Sequence, residues 1–252
     1  MPGFDIHTHT NFCDGKDTPE DMVLSAIEKG LDTIGILTHS YVEFDLSACI
    51  MKDRQEEFIS EVNRLKEKYK DKIKVLCGIE VDYYSNPEDI AEGYDYRLGS
   101  LHYFKIGEKY YSLDISIPGF IEMVEKEFGG DYLAVCEEYY RLLCDVVRKT
   151  KGDVIAHIDL ITKFNEGNKL FDTSDPRYAK AYKAAVDALI PYEKPFEINT
   201  GAISRGYRTT PYPAPDVLDY IKEKGGKLII SSDSHSKENI AFLFDKYESL
   251  TK

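Results

Sequence analysis

Short apolar runs rich in β-branched residues recur along the chain, and each is followed by polar residues and then by an amphipathic stretch. Runs such as TIGIL, KVLCGI, DVIA and KLII are almost continuously apolar, which is typical of strands buried on both faces of a parallel sheet. The pattern predicts seven strands, over residues 3–7, 33–38, 73–80, 96–102, 154–157, 196–199 and 227–232.

The stretches between these runs carry helix signals. Thr18 before Pro19 is typical of a capped helix start, and Gly30 is typical of its end. Apolar residues from Phe58 to Tyr69 recur at helical spacing within the charged stretch 52–72, which predicts an amphipathic helix with a solvated outer face. Further helices are predicted over residues 117–128, 132–150, 176–190, 215–224 and 237–247.

Strands that alternate with helices predict an α/β fold with parallel, right-handed crossovers. Such a sheet is either open and doubly wound or closed into a barrel. No G-x-G-x-x-G segment follows the first strand and no Walker motif is present, which disfavours the open sheets that bind nucleotides. A barrel of about seven strands is therefore the preferred interpretation.

Composition and charge limit the classes of function that fit this chain. With 252 residues, 42% of them hydrophobic and 31% charged, the chain has the composition of a globular domain. Its net charge of −13 disfavours nucleic-acid and anionic membrane partners, because both are polyanions. Five widely spaced cysteines without a C-x-x-C pair, and the lack of a signal peptide or long apolar run, predict a cytoplasmic protein with reduced thiols.

All six histidines fall where a predicted strand ends, and none falls in a predicted helix. In chain order they are His7, His9, His39, His102, His157 and His235. Glu80 ends the third predicted strand, and Asp233 lies just before the last histidine. Because the active sites of α/β barrels lie at the carboxyl ends of the strands, these side chains are predicted to converge on one mouth.

The residue types at this mouth are those of a transition-metal site, since neutral imidazole and carboxylate groups suit Zn, Mn or Fe. With Asp14 included, the candidate ligands number nine, which is too many for one ion. Three divalent ions with about three protein ligands each would use them all and leave positions for water and substrate. They would also balance the charge of the carboxylates, a bridging hydroxide and a bound phosphate.

Eight short segments occur in an order that is found in a known family: HTHT, FCDG, LTHS, CGIEVDY, GSLHYF, AHIDL, EINTGAISRG and SSDSH. In these segments the chain resembles the PHP (polymerase and histidinol phosphatase) family, and most of all its stand-alone histidinol-phosphate phosphatases. The resemblance extends over nearly the whole chain. It implies a distorted (β/α)7 TIM-like barrel, a single domain over residues 1–252, a trinuclear metal centre and hydrolysis of a phosphomonoester.

The resemblance also assigns the ligands by position. One ion would be held by His7, His9, Glu80 and Asp233. Glu80 would bridge to a second ion held by His102 and His157, and His39 and His235 would hold the third. Many histidinol phosphatases of the family continue the first motif as F-C-x-H-G, whereas this chain has F-C-D-G. Asp14 is therefore expected as a ligand of the third ion or as a proton donor.

The implied reaction is the hydrolysis of L-histidinol phosphate to L-histidinol and phosphate, in histidine biosynthesis, by a hydroxide that bridges metal ions. The alkoxide leaving group needs a proton donor or the third ion, and Asp14 and His235 are the candidate donors. Arg205 lies in the segment that the family uses near phosphate, and its guanidinium suits that role. Lys163 and Arg208 are weaker candidates.

The rest of the substrate presents an ammonium and an imidazole. Residues 103–113 are predicted to form a hairpin-like excursion, in which Tyr103 and Phe104 either stack on the imidazole or cover the barrel core. Asp159 either supports a metal ligand or is a plain polar residue at a strand end. The carboxylates available for the ammonium include Glu43, Asp82 and Asp159.

Other functions compete with this one. The chain could be another PHP phosphoesterase that acts on nucleotides, oligonucleotides or phosphotyrosine, or an enzyme that hydrolyses C–N bonds on a related barrel. A non-catalytic metal-binding module is a further alternative. Against that alternative, all nine ligand positions are filled, whereas a decayed site is expected to have lost some. The expected partner is a small-molecule phosphomonoester, and the sequence does not predict the oligomeric state.

Overall fold

A computed structural model describes residues 3–252 of the chain. Within this range the strands are β1 (Phe4–His9), β2 (Thr33–Leu37), β3 (Lys74–Asp82), β4 (Tyr96–Ser100), β5 (Tyr103–Ile106), β6 (Lys109–Ser112), β7 (Val154–Ile155), β8 (Phe196–Asn199) and β9 (Leu228–Ser231). Seven of them form one parallel sheet in the order β1-β2-β3-β4-β7-β8-β9. These seven are the strands that the sequence predicts, with small differences at their ends.

The two edges of this sheet meet beyond the end of β9. Thr8 of β1 forms a parallel bridge with Ser234. The His9 amide donates to the Ser234 carbonyl at 2.7 Å, and the Ser234 amide donates to the His7 carbonyl at 3.1 Å. The sheet is therefore a nearly closed barrel whose closure lies at its carboxyl end, which confirms the predicted TIM-like barrel of a single domain.

Helices cover the outside of the barrel. They are α1 (Pro19–Glu28), α2 (Gln55–Tyr69), α3 (Ile117–Phe128), α4 (Tyr132–Leu143), α5 (Val146–Thr150), α6 (Pro176–Leu189), α7 (Gly201–Ser204), α8 (Pro215–Glu223) and α9 (Phe244–Tyr247). One large apolar cluster lies under α1 and α2, and another lies under α3, α4, α6 and α8. No helix in residues 3–252 is both long and apolar enough to span a membrane.

A tyrosine fills part of the barrel interior. Tyr96 packs with the small inner cluster around Leu98 and donates from its hydroxyl to the Ile6 carbonyl at 2.6 Å. A Cβ at Gly35 or Gly78 would overlap the Tyr96 ring or its hydroxyl, so the close approach requires glycine at both positions. This packing closes the barrel below the strand ends that carry the histidines.

The start of α1 and the predicted hairpin are confirmed. The Thr18 hydroxyl accepts from the Asp21 amide at 3.1 Å, and the Asp21 carboxylate accepts from the Thr18 amide at 3.3 Å, which is a capping box. Strands β5 and β6 pair in antiparallel fashion over the predicted excursion.

Two helix predictions are wrong. The stretch 132–150 is two helices, because Asp145 leaves the helical conformation at φ −118° and ψ 0° and starts α5. The stretch 237–247 is a 3-10 turn followed by the short α9, with positive φ at Ala241 and Leu243. Its backbone is held by tertiary contacts instead, since the Ala241 amide donates to Asp5 at 2.9 Å and Lys29 donates to two of its carbonyls.

Candidate metal centre

The nine predicted ligands converge at the carboxyl end of the barrel. His7 and His9 lie in β1 and Glu80 lies in β3, while the others follow the ends of the strands within two to four residues or, for Asp14, lie in the loop after β1. The ring centroid of His9 is 4.3 Å from that of His39 and 4.5 Å from that of His235. The sequence predicted that these side chains converge on one mouth, and in the structure they are in direct contact.

Glu80 is the centre of the cluster. Its side chain is buried, and each of its oxygens faces different histidines. Oε2 lies 3.1 Å from His39 Nδ1, and Oε1 lies 3.0 Å from His157 Nε2. Burial alone would raise the pKa of Glu80, but the surrounding imidazoles, those of His7 and His39 foremost, hold it well below its usual range. The carboxylate therefore stays ionised and can bridge two ligand groups.

The first ligand group consists of two buried imidazole nitrogens and two carboxylate oxygens from residues that line the cavity. The Nε2 atoms of His7 and His9 are 3.0 Å apart, and Glu80 Oε2 lies 3.2 and 3.4 Å from them. Asp233 Oδ1 lies 3.5 Å from both nitrogens. Donors about 2.0–2.2 Å from a tetrahedral Zn²⁺ lie about 3.3–3.6 Å from one another. These spacings are close to that range, so the donor set fits a divalent ion.

The second ligand group uses the other oxygen of Glu80. Oε1 lies 3.0 Å from His157 Nε2 and 3.3 Å from His102 Nε2. The His102 amide donates to Asp82 Oδ2 at 2.8 Å, and the His102 ring nitrogen Nδ1 lies 3.3 Å from the same oxygen. Asp82 thus orients His102 so that its Nε2 faces Glu80.

The third ligand group is built around Asp14. Its Oδ1 lies 3.6 Å from His39 Nε2 and its Oδ2 lies 3.2 Å from His235 Nε2. A Cβ at Gly15 would lie 2.6 Å from the main chain of His9, so the glycine lets this loop approach β1 closely. Burial would raise the pKa of Asp14, but the neighbouring imidazoles hold it well below its usual range.

Glu197, in β8, was missed by the sequence analysis. It is 1% exposed and contacts one of the first-group ligands directly, since its Oε1 lies 2.5 Å from His7 Nδ1. It also accepts from the His157 amide at 2.8 Å, from Asn199 Nδ2 at 3.0 Å and from the Ser231 hydroxyl. A charged residue inside a strand that is otherwise fully buried is the signal that could have identified it.

Arg205, just after α7, contacts two of the candidate ligands. Nη2 donates to Asp233 Oδ2 at 2.9 Å, and Nη1 donates to the Asp233 carbonyl at 3.2 Å. Nη1 also lies 2.7 Å from His235 Nδ1. Its buried Nε has no hydrogen-bond partner among residues 3–252. The guanidinium thus braces Asp233 and His235 while it lines the cavity.

A cavity of about 250 Å³ lies above the ligands, smaller than the ~300–1,000 Å³ typical of sites for drug-sized molecules. Its apolar wall consists of Val42, Ala48, Cys49, Tyr103, Ile115, Leu160 and Tyr207. Its polar wall, apart from the ligands, includes Asp82, Asp114, Lys163 and Arg205. Lys163 Nζ donates to Asp114 Oδ2 at 3.1 Å and lies 4.5 Å from the Tyr207 ring. Asp114, which follows the hairpin, was not predicted from the sequence.

The structure does not place every predicted substrate contact on this cavity. Phe104 is 1% exposed and packs in the core, because successive residues of β5 face opposite sides and Tyr103 takes the side towards the mouth. Asp159 is fully buried, and its carboxylate accepts from the Ala214 amide at 2.7 Å. Glu43 is exposed and Arg208 is buried beside Thr162, both off the cavity wall. These four side chains therefore do not line the cavity, and Phe104 takes the second of its two expected positions, in the core.

A parallel barrel with imidazoles and carboxylates clustered at the carboxyl ends of its strands defines a metal-binding α/β barrel, and the donor sets are those of divalent metal ions. The chain belongs to the PHP domain family, whose model matches residues 5–201. This confirms the family resemblance seen in the sequence motifs.

Individual relatives match along almost the whole chain. The histidinol-phosphatase of Bacillus subtilis (strain 168) is 24% identical over 265 residues, which cover 96% of this chain and 97% of that one. A candidate histidinol phosphatase from Listeria monocytogenes has the same fold, with a TM-score of 0.85 at 23% identity over 97% of this chain and 99% of that one. The histidinol phosphate phosphatase of Lactococcus lactis, solved with zinc, L-histidinol and phosphate, matches with a TM-score of 0.74 at 23% identity over 98% and 92%.

Proposed function

We propose that this chain hydrolyses L-histidinol phosphate to L-histidinol and phosphate, as a step of histidine biosynthesis, with three divalent transition-metal ions (zinc, manganese or iron). The observation that carries the proposal is the clustering of nine imidazole and carboxylate side chains in three ligand groups, all of them except His7 and His9 lining a cavity of about 250 Å³. The relatives named as histidinol phosphatases support the choice of substrate. The zinc, L-histidinol and phosphate in the Lactococcus lactis enzyme support it further.

The proposed ligands are the nine residues His7, His9, Asp14, His39, Glu80, His102, His157, Asp233 and His235. Bound divalent ions lower the pKa of water and neutralise phosphoryl oxygens, which is the chemistry that this bond requires. The residues of the chain hold the ligand atoms in place: Asp82 orients His102, and Arg205 braces Asp233. The residues of the first ligand group are buried, which keeps bulk water away from their ligand atoms.

The two candidate proton donors differ in their surroundings. Asp14 is held ionised by the imidazoles beside it, which suits a ligand and not an acid, so we assign it as a ligand. His235 Nδ1 lies 3.0 Å from the Asp233 carbonyl. When Nδ1 carries the ring proton and donates there, Nε2 is free to act as a ligand beside Asp14. In the other tautomer Nδ1 accepts from Arg205 and Nε2 carries the proton, so the ring is then not a ligand and can donate only a hydrogen bond to the leaving oxygen.

Arg205 is the proposed phosphate contact. It lines the cavity beside the first and third ligand groups, and its Nε has no hydrogen-bond partner within the described part of the chain. A planar, always charged guanidinium can bind a phosphoryl oxygen while its other nitrogens stay on Asp233. Arg205 is thus proposed both to bind the substrate and to hold a ligand.

The walls of the cavity match the remaining groups of L-histidinol phosphate. Asp114 and Asp82 offer carboxylates to the ammonium, in place of the excluded Asp159 and Glu43. Tyr103 and the apolar residues beside it offer a flat surface to the imidazole, and the Tyr103 hydroxyl is held by Asp45 at 3.0 Å. All five cysteines are free thiols, which supports a cytoplasmic location, and the net charge of −13 supports a small-molecule partner and not a nucleic acid.

The experiment is a phosphomonoester panel combined with elemental analysis of the same sample. We expect L-histidinol phosphate to be the best substrate and more than one metal equivalent to be bound. A nucleotide or phosphotyrosine as the best substrate would leave the fold and the metal centre standing and would replace the substrate. Full activity with one equivalent or less would contradict the multinuclear site.

A further inference from the structure

Glu197 connects four structural elements at the floor of the metal centre. Its carboxylate contacts His7 in β1, the backbone just after β7, Asn199 in its own strand and Ser231 in β9. The side chain is 1% exposed, so these contacts replace water completely. Such a carboxylate is costly to bury, and the cost is offset only by the set of hydrogen bonds that it accepts.

The contact with His7 determines which nitrogen of the ring faces the cavity. Glu197 Oε1 lies 2.5 Å from His7 Nδ1, and His7 Nε2 lies 3.2 Å from Glu80 Oε2. An imidazole that donates from Nδ1 to a carboxylate has its lone pair on Nε2, where a metal ion binds. The carboxylate therefore selects the tautomer and the ring orientation that the first ligand group needs.

The contact with the His157 backbone takes the place of a hydrogen bond between strands. Strand β7 contains only Val154 and Ile155, and it pairs with β8 through Ile155 and Phe196. Two residues later the His157 amide donates to Glu197 Oε2 at 2.8 Å. A side-chain oxygen thus holds the backbone where the ladder has ended, and it places His157 Nε2 3.0 Å from Glu80 Oε1.

We infer that Glu197 is a positioning residue that couples the first and second ligand groups: one oxygen fixes His7 and the other fixes His157. The inference rests on the proposed function only in that those groups bind metal ions. The third ligand group consists of Asp14, His39 and His235. None of these residues forms a hydrogen bond or ion pair with Glu197, so the group should be independent of this residue.

The test compares two isosteric substitutions of buried carboxylates. Glu197→Gln keeps the volume of the side chain. It replaces one carboxylate oxygen, which accepts a hydrogen bond, by an NH2 group, which cannot accept one. Asp5→Asn is the matched control, because Asp5 is equally buried and accepts from Ser232, from the Ala241 amide and, at 3.4 Å, from the backbone amide of His7, but contacts no imidazole ring. The metal-free proteins are checked by circular dichroism, and zinc binding is then measured by competition with a chromophoric chelator.

We expect Glu197→Gln to bind zinc about 10–100-fold more weakly at two sites, with the third unchanged, as is usual when a carboxylate behind a ligating histidine is lost. Asp5→Asn should lower the thermal stability but leave zinc affinity within about threefold of the wild-type value. Wild-type affinity at every site in Glu197→Gln would overturn the inference. Equal losses at all three sites, or the same losses in Asp5→Asn, would overturn it as well, because they would reflect general destabilisation.

A crystal structure of the zinc-loaded wild type keeps the inference testable if Glu197→Gln does not fold. We expect Glu197 to remain within hydrogen-bond distance of His7 Nδ1, with zinc on Nε2. Zinc on Nδ1 of His7, or on Glu197 itself, would overturn the inference while the proposed function stood. A wild-type protein that binds no divalent ion would instead overturn the proposed metal centre and this inference with it.

Discussion

The Nε2 atoms of His7 and His9 lie 3.0 Å apart beside Glu80, and both rings are fully buried. Two neutral imidazoles can approach this closely only if one shares a proton or if a cation lies between their lone pairs. Asp233 and Glu80 add carboxylate oxygens at 3.2–3.5 Å from these nitrogens. A divalent ion would therefore stabilise this cluster of ligand atoms. Removing the ion would leave the two carboxylates without the positive charge that balances them.

Metal removal is expected to destabilise the fold. A ligand that binds only the folded state at about 100 times its Kd adds about 2.7 kcal/mol. For a chain of this size that corresponds to a rise in Tm of roughly 5–10 °C. Thermal melts of chelated and zinc-reloaded protein measure the difference, and activity should return with the metal. Identical melting temperatures in samples that differ in metal content would contradict the prediction.

Arg205→Ala is expected to impair both substrate handling and the metal centre. The loss of a charge-assisted contact costs on the order of 1.5–3 kcal/mol, so kcat/KM should fall by roughly tenfold to a hundredfold or more. Because Nη2 also holds Asp233 at 2.9 Å, the metal content at a fixed free concentration should decrease.

Arg205→Lys is the matched variant for this prediction. It keeps the positive charge but cannot contact Asp233 and His235 with two nitrogens of one plane, so we expect an intermediate loss. Kinetics and elemental analysis of both variants measure the two effects separately. If Arg205→Ala lowered kcat/KM with an unchanged metal content, the residue would act on phosphate alone.

The sequence predicted that the candidate ligands converge, because a barrel rule converts position along the chain into position in space. His39 and His157 are far apart in sequence, yet both follow a strand, and parallel strands of a barrel end at one mouth. The same reasoning left two positions open for Phe104, because the alternation along β5 decides which of two neighbouring aromatic residues faces the cavity. That register depends on strand pairing, which the hydrophobic pattern does not specify for a short hairpin.

Tertiary contacts account for the other failures. The stretch 237–247 has helical spacing, but Lys29 and Asp5 bind its backbone groups and so compete with helical hydrogen bonds. Glu197 is the first residue of the EINTGAISRG segment, but the segment does not say what that residue contacts, and Asp114 lies in none of the quoted segments. The structure shows their partners, His7 for Glu197 and Lys163 for Asp114.

Glu20 links α1 to α2 through a pH-dependent set of contacts. Hydrogen bonds from Lys68, Tyr69 and Arg64 lower the pKa of Glu20 to about 2. A carboxyl group whose pKa is lowered by folding stabilises the fold above its unfolded value of about 4.3, and this contribution is lost as the pH falls from there towards the folded value.

Glu20→Gln should therefore melt below the wild type at pH 7, and the difference should narrow progressively below about pH 5. Metal-free samples are compared at each pH, so that loss of metal in acid does not contribute. Glu56→Gln, at an exposed position of α2, is the control and should change Tm little. A difference between Glu20→Gln and the wild type that stayed constant from pH 7 to pH 4 would show that the carboxylate charge is not what matters.

Asp114 is expected to determine the preference for an amino-alcohol phosphate. It lies on the cavity wall, where Lys163 Nζ donates to its Oδ2 at 3.1 Å, and a carboxylate retains further acceptor positions for an ammonium. The wild type should prefer L-histidinol phosphate to p-nitrophenyl phosphate by at least about a hundredfold in kcat/KM, or ~2.7 kcal/mol, although the aryl phosphate has the better leaving group. Binding of the remote ammonium and imidazole should act at the transition state, so it should raise kcat as well as affinity.

Asp114→Asn keeps the size of the side chain and removes its charge. It should lower kcat/KM for L-histidinol phosphate by about 10–100-fold and leave p-nitrophenyl phosphate nearly unchanged, because only the first substrate carries an ammonium. Asp172→Asn, in an exposed loop, is the control and should alter neither value. Equal losses on both substrates would show that Asp114 acts by holding Lys163. The preference for L-histidinol phosphate would then have to come from Asp82 or from the apolar wall at Tyr103.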